Sequence, residues 1–261
     1  MTDSSAAQAL LGRRVVVTRP VHQAENLARL IVEAGGEPVR FPALAIEPPA
    51  DSSQVRDLLA SVGSFDLAVF ISANAVDHAF ALLRGPWPTS VPVSAVGEGT
   101  AAALRRRGLS TVIVPSLGTD SESLLAVPLL KNARGKRVLI VRGEGGRELL
   151  AQELRRRGAE VTYAQCYRRV LPQTDSAPLI ARWARGELHA VTVMSGATLD
   201  NLWVLLEPGG RDLLRTTPVF VSHPGVADRA RQLGLVETVV TPPGDEGMLR
   251  GLSEWFSSRT R

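Results

Sequence analysis

The sequence predicts an α/β protein of two similar lobes, each a parallel sheet flanked by helices, and three observations carry the prediction. A short β-branched run, a small-residue turn and an amphipathic helix follow one another repeatedly along the 261 residues. The same ordered blocks occur twice at a nearly fixed spacing: Arg14 and Arg137 open matching runs 123 residues apart, Ser72 and Ser195 close matching runs 123 apart, and Gly108 and Gly234 lie 126 apart. Two extended, proline-ended segments, residues 38–49 and 161–172, interrupt the alternation. Strands alternating with helices imply parallel sheets covered on both faces. A repeat of about half the chain is a duplicated domain rather than a solenoid.

Taken in order, MTDSSAAQALLGRR lacks a basic start followed by an apolar stretch, so a short loose tail is expected and not a signal peptide. RVVVTRP (14–20) is the first strand and turn, and HQAENLARLIVEAGG (22–36) is a helix closed by glycine. PVRFPALAIEPP (38–49) is extended and β-prone. DLAVFIS (66–72) leads into the helix ANAVDHAFALL (73–83). VPVSAVGEGTAAALRRRGLSTVIVP (91–115) holds a strand, a glycine turn, a helix and a strand, and DSESLLAVPLL (120–130) another helix. Their counterparts are RVLIVRG (137–143) with EGGRELLAQELRRRGAE (144–160), AVTVMS with GATLDNLWVLL (190–206), TPVFVSHPGVADRARQLGLVETVVTP (217–242) and DEGMLRGLSEWF (245–256). The extended VTYAQCYRRVLP (161–172) matches 38–49, and the two could pair as a narrow ribbon between lobes that flex about it.

Hydrophobic residues make up 44% of the chain, enough for a sizeable core, whereas aromatics at 5% are too few for the stacking platforms of single-strand nucleic-acid binders. The net charge of +4 is carried almost wholly by arginine, since only Lys131 and Lys136 are lysines. That excess suits an anionic small molecule and is too scattered to mark nucleic acid. Cys166 is the single cysteine, so no intrachain disulfide forms, and no run of 18 apolar residues offers a membrane span. A soluble, cytoplasmic protein is expected.

Ligands of open parallel sheets bind beyond the carboxyl ends of the strands. SANA (Ser72, Ala73, Asn74) and SGAT (Ser195, Gly196) fall there, where backbone N–H groups and the helix dipole can hold a carboxylate. The plain alternative is that both serines cap helices. The glycine turns VGEGTAAAL (Gly97, Gly99, Thr100) and VRGEGGREL (Gly143) resemble phosphate-cradling loops, but neither spells G-x-G-x-x-G and no G-K-[ST] occurs. Arg19, Arg142 and Arg147 stand near analogous strand ends, where a guanidinium fork matches a carboxylate. The RRRG triplets at 105–108 and 155–158 read as last helical turns before glycine, not as nucleic-acid patches.

His22, His78, His189 and His223 show no metal-ligand spacing; His223, with Ser222, sits at a strand–helix turn where a ligand could touch it. No G-x-S-x-G elbow points to hydrolysis. Cys166 reads as a buried bystander. Tyr167 lies on the second extended segment, followed by Arg168 and Arg169; facing a cleft it could donate a proton, and the alternative is a packing tyrosine.

In this order, VVVTRP, DLAVFISANAV, AVGEGTAAALRRRG, DSESLL, GKRVLIVRGEGGRELLAQELRRRGAEV, YAQCYRR, VMSGATLDNL and VFVSHPGVADRARQLG resemble the uroporphyrinogen-III synthase family over about residues 13–256. A tandem reading would cut the chain near residue 133. The resemblance implies instead flavodoxin-like lobes made of residues 1–37 with 172–261 and of 44–163, joined by a two-stranded β linker at 38–43 and 164–171. It implies a cyclising hydro-lyase of porphyrin and heme biosynthesis. The family closes hydroxymethylbilane to uroporphyrinogen III with inversion of ring D and loss of water, without metal or cofactor. Tyr167 then matches the linker tyrosine implicated as proton donor, Ser72 and Ser195 the strand-end serines, and Thr100 the threonine beside the glycine turn. Asn74 stands where some members have arginine and Val226 where some have threonine, so backbone contacts are the firmer expectation there. The expected partner is the small-molecule substrate, without nucleic acid or membrane, for a monomer in at most transient contact with the upstream deaminase. Two other classes stay open: a non-catalytic hinged binder of an acidic ligand, and a nucleotide-dependent oxidoreductase, against which the missing G-x-G-x-x-G speaks.

Overall fold

A computed structural model of the chain describes residues 8–259 except 117, 119, 120 and 147, with only the backbone at Ser121. The chain divides into two compact units, Met1–Ala45 with Val170–Arg261, and Ile46–Arg169. The first unit opens with β1 (Arg14–Val17), α1 (Val21–Glu33) and β2 (Glu37–Arg40). The inserted unit then runs through β3 (Ala45–Glu47), α2 (Ser53–Ala60), β4 (Leu67–Phe70), α3 (Ala73–Leu82), β5 (Val93–Ala95), α4 (Glu98–Arg106) and β6 (Val112–Ile113). It continues with α5 (Ser121–Leu125), α6 (Pro128–Lys131), β7 (Arg137–Gly143), α7 (Leu149–Arg156) and β8 (Glu160–Val170). The chain returns to the first unit through α8 (Ala177–Ala184), β9 (Ala190–Val193), α9 (Gly196–Leu205) and α10 (Glu207–Thr216). It ends there with β10 (Val219–Val221), α11 (Pro224–Gln232), β11 (Thr238–Val240) and α12 (Gly244–Arg259).

The discontinuous unit carries a five-stranded sheet in the order β2-β1-β9-β10-β11, parallel throughout. Numbered within the unit this is 2-1-3-4-5, the doubly wound order whose direction reverses between β1 and β9. Alternation along the strands separates two apolar layers. Val15 and Val17 face Leu27 and Ile31 of α1 with Met248 and Leu252 of α12. Val16, Val191, Val193, Val219 and Val221 face Leu199 and Leu202 of α9, Ala227 and Ala230 of α11, and Leu179 and Trp183 of α8. Because both faces are covered, the central strands β1, β9 and β10 are apolar at nearly every position, and this is why their period-two pattern is invisible in the sequence.

The inserted unit has six strands in the order β3-β8-β7-β4-β5-β6, parallel from β8 to β6. Counted from β7, the segment β8-β7-β4-β5-β6 repeats the 2-1-3-4-5 order, with β7 in the place of β1 and β4 in the place of β9. The 123-residue offset therefore has a structural meaning: both units share one sheet plan, which the inserted unit, after its additional edge strand β3, enters at the third strand. Ala68, Phe70, Leu139 and Val141 face the layer of α2, α3 and α4, while Leu67, Val69, Val138 and Ile140 face that of α5, α6 and α7. Among the described residues, no helix is long and apolar enough to cross a membrane.

Several expectations are corrected. Leu10, in the segment read as a loose tail, is fully buried; its N–H donates to the Ala34 carbonyl at 2.9 Å. Its Cβ occupies the space that Gly36 leaves open, since a Cβ built at Gly36 would lie 3.0 Å away. Residues 38–40, assigned to a linker ribbon, are β2 and pair in parallel with β1. Residues 164–167, assigned to its other strand, pair with β7 through a register shift beside Gly143. The two extended segments do meet, but elsewhere: β3, within 38–49, is the neighbour of β8, which covers most of 161–172, and both belong to the larger sheet rather than to an isolated two-stranded ribbon, which would be marginal. The helices α2, α8 and α10 lie outside the repeated blocks that the sequence pattern names. The RRRG triplets do close helices: Arg107 and Arg157 are the C-cap residues, and Gly108 (φ +90°) and Gly158 (φ +86°) take the left-handed conformation that follows.

Candidate functional site

The strand order reverses between β7 and β4 in the inserted unit, and the carboxyl ends of those strands meet there. A hollow of about 280 Å³ opens at this point, lined by Ile71, Arg142, Gly143, Tyr163, Tyr167 and Arg169 among others. Ile71 also borders a second hollow of about 350 Å³, lined by Ser72, Ala73, Val96, Gly97, Glu98, Gly99 and Thr100. The SANA and VGEGT turns, 25 residues apart in sequence, thus form one concave surface at the ends of β4 and β5.

Ser72 is extended (φ −159°, ψ 163°), and its Oγ accepts the Ala75 N–H at 3.1 Å. It caps α3, as the plain reading of the sequence had it. The same Oγ also lies 3.2 Å from the Tyr167 phenol oxygen, across 95 residues of sequence. Tyr167 is 1% exposed and belongs to the core of the inserted unit, so it is not a linker side chain open to solvent. Two local features seat it. The shift in β7–β8 register gives β8 one extra residue, which re-aims the side chains that follow. Gly143 supplies the room: a Cβ there would stand 2.5 Å from Cε2 of the ring. Arg169, two residues on and so on the same side of the strand, donates from Nη2 to the phenol oxygen at 3.1 Å; its guanidinium carbon lies 5.4 Å from the ring centroid. The His78 ring, from α3, is 5.6 Å from the Tyr167 ring, centroid to centroid.

Arg142 is only 6% exposed and already has partners: it donates to Glu148 Oε1 at 2.9 Å and to the Gly145 carbonyl, and it lies over the Tyr163 ring at 4.9 Å. A buried cation needs such compensation. Tyr163 in turn donates to Glu148. That hydrogen bond, followed by those from Arg142, holds the Glu148 carboxyl below its usual range, while burial and Glu148 push the Tyr163 phenol up. Arg147 lies outside the described residues.

In the discontinuous unit the matching switch point lies between β1 and β9. Ser195 Oγ accepts the Thr198 N–H at 3.2 Å and lies 2.8 Å from Thr198 Oγ1, capping α9. Gly196 has open space where a side chain would be. Ser222 donates to the Met194 carbonyl at 3.2 Å, tying the ends of β10 and β9 together. His223 Nδ1 accepts the Gly225 N–H at 3.0 Å, so this histidine is a helix cap. Arg19 pairs with Asp245 at 2.5 Å, with Asn26 donating to the other carboxylate oxygen at 2.9 Å. Val226 is 7% exposed and packs in the core. Arg19, Ser195, Gly196, Ser222 and His223 therefore occupy one end of one sheet. Asn74 and Thr100 stand likewise in the first turns of α3 and α4 of the inserted unit.

The sequence named Tyr167 and Ser72 separately but did not bring them together, and it left Arg169 out of the site. The signal for Arg169 was present: a residue two positions along a strand shares its face. Among the described residues, no group of three or more His, Cys, Asp and Glu side chains is placed to hold a metal ion.

The family described as uroporphyrinogen-III synthase HemD matches residues 25–250. Uroporphyrinogen-III synthase of Escherichia coli is 36% identical over 91% of this chain and 99% of its own length, and that of Salmonella typhimurium is 34% identical over the same shares. Two solved structures share the fold. A mutant uroporphyrinogen III synthase of Thermus thermophilus has a TM-score of 0.63 at 23% identity, covering 94% of this chain and 99% of that one. The synthetase of Helicobacter pylori has a TM-score of 0.59 at 14% identity, covering 95% and 100%. With its model matched from residue 25 to residue 250, and relatives above 30% identity along nearly their whole length, the chain belongs to the uroporphyrinogen-III synthase family.

Proposed function

We propose that this chain closes hydroxymethylbilane to uroporphyrinogen III, inverting ring D and releasing water, and is a hydro-lyase in reaction class. The observation that carries the proposal is the Tyr167 phenol, at the wall of the switch-point hollow, within hydrogen-bond reach of both Ser72 and Arg169. Its O–H supplies a proton to the departing hydroxyl. The C–O bond breaks, water leaves, and the terminal pyrrole becomes an electrophilic azafulvenium cation. Closure is then steered to the substituted carbon of the last ring through a spiro intermediate, and holding that geometry is the main task of the protein. Dehydration and carbon–carbon bond formation involve no net redox change, so the reaction as written needs no oxidant or reductant.

The substrate's acetate and propionate groups are held chiefly by backbone donors. Ala73 and Asn74 at the start of α3, and Gly97, Gly99 and Thr100 at the start of α4, offer N–H groups at helix N-termini without a lysine. Arg19, Ser195, Gly196, Ser222 and His223 are the corresponding contacts of the discontinuous unit, with Gly196 giving the closest backbone approach. Gly143 admits the tyrosine, and Arg142 and Arg147 add positive potential. The protein works as a cytoplasmic monomer that meets the upstream deaminase at most transiently. Every relative described above carries the synthase name, which favours catalysis over simple capture of an acidic ligand.

The test is to incubate the protein with freshly made hydroxymethylbilane, oxidise the products and resolve isomers III and I. Predominant isomer III is expected; isomer I at the uncatalysed rate would reject the assignment. Tyr167→Phe should lower turnover by about 10²–10⁴-fold, the range for a general acid, with the fold intact.

A further inference from the structure

We infer that Arg169 is a positioning residue of this reaction, whose guanidinium holds the Tyr167 phenol oxygen and balances the negative charge left there when the proton departs. The inference rests on the function proposed above and adds a residue to it. A phenol that is 1% exposed gains a charge as it gives up its proton, and burial opposes that charge unless a cation or donor meets it. The groups that face the oxygen can be named. Ser72 reaches it from the N-terminus of α3 at 3.2 Å, and Arg169 from β8 itself at 3.1 Å. His78 packs against the ring from α3. Arg142, across the hollow on β7, is engaged by Glu148 and the Gly145 carbonyl.

Arg169 differs from the other cations near this wall. Its neighbour Arg168 turns to the opposite side of β8 and pairs with Glu47 at 2.8 Å. Among the described residues Arg169 has no carboxylate partner, and its contacts are with Tyr167: a hydrogen bond to the oxygen and a guanidinium over the ring. By donating to the phenol oxygen it occupies one acceptor position, which restricts the directions left to the phenolic proton. The proton balance is complete. The phenol proton passes to the leaving hydroxyl, the C–O bonding pair departs with water, and phenolate remains opposite Arg169. The proton released when the last pyrrole regains aromaticity restores the phenol.

The experiment is a double-mutant cycle on the full chain, with kcat, KM and isomer ratio measured for wild type, Arg169→Met, Arg169→Gln, Arg169→Lys, Tyr167→Phe and the Arg169→Met/Tyr167→Phe pair. Melting is followed for each, and the two neutral variants guard against a folding defect in either one. Loss of one preorganised donor to a developing oxyanion costs about 10²-fold or more in kcat, so Arg169→Met and Arg169→Gln should fall by that factor with KM changed less than about threefold. Arg169→Lys should recover about tenfold of the loss. In the Tyr167→Phe background, Arg169→Met should cost less than about threefold more. Full additivity of the two substitutions, or a change confined to KM, would overturn the role given to Arg169 while leaving the synthase assignment intact. Wild-type protein yielding only isomer I would overturn the assignment and this inference together.

Discussion

Replacing Gly143 with alanine places a methyl carbon 2.5 Å from Cε2 and 2.6 Å from Cζ of Tyr167. Carbon atoms rest comfortably at about 3.5–4.0 Å, so the ring must retreat by roughly 1 Å. The glycine is not in the left-handed region, so alanine fits the backbone, and the nearest conflict is with the ring. Tyr167 is 1% exposed and packed within the core of its unit, which makes the retreat an overpacking problem worth about 1–3 kcal/mol of stability. The functional cost is larger. The phenol oxygen sits 3.2 Å from Ser72 and 3.1 Å from Arg169, and either contact fails as a hydrogen bond once it stretches to about 3.6 Å. Misplacing a catalytic group by that distance costs about 10²-fold in rate. Isomer III formation at saturating hydroxymethylbilane, with thermal melting of the same preparation, measures both effects. Gly209→Ala is the control: it lies in α10 with open space at its Cβ, and it should leave turnover unchanged while gaining up to about 1 kcal/mol. Wild-type turnover in folded Gly143→Ala would refute the seating of the tyrosine and the reasoning built on it.

Three further outcomes follow from the same contacts. Ser72→Ala and Ser195→Ala each remove a helix cap and should each cost about 1 kcal/mol in denaturant unfolding, but only Ser72→Ala also loses a contact to Tyr167 and should lower kcat about tenfold or more. The Glu153 carboxyl is held down to about 2 by Arg156 and Arg157. Its folded value lies below its unfolded one, so the unfolded chain binds more protons and stability falls as pH drops from about 4.5 toward 2. Urea midpoints across that window should decline less steeply in Glu153→Gln. Burial pushes the Cys166 thiol up to about 12, so the native protein should resist thiol reagents at pH 8 and react within the mixing time only after denaturation, followed by absorbance of the released chromophore.

The strand–turn–helix alternation and the serines at strand ends are local features, written in residues within about fifteen positions of one another, and they were legible in the sequence, as was the duplication, a repeat of those local blocks at a nearly fixed offset. So were the caps at Ser72 and Ser195, and the RRRG helix ends, because capping is settled by the nearest few residues. The resemblance to a known family added the split of the chain into a discontinuous unit and an insertion. What could not be read was register. The sequence paired residues 38–43 with 164–171 as a two-stranded linker, whereas β2 and β8 pair with β1 and β7, since a short, half-exposed segment such as EPVR carries no pattern that names its neighbour. The position of Tyr167 followed from the same gap. Its partner Ser72 lies 95 residues away, and they meet because β7 sits between β8 and β4, Gly143 leaves space for a ring, and one extra residue in β8 turns the phenol toward the strand ends. Local chemistry is carried by neighbouring residues and survives in the linear order; the meeting of Tyr167, Ser72 and Arg169 is a property of sheet order and register, which exists only once distant strands have paired.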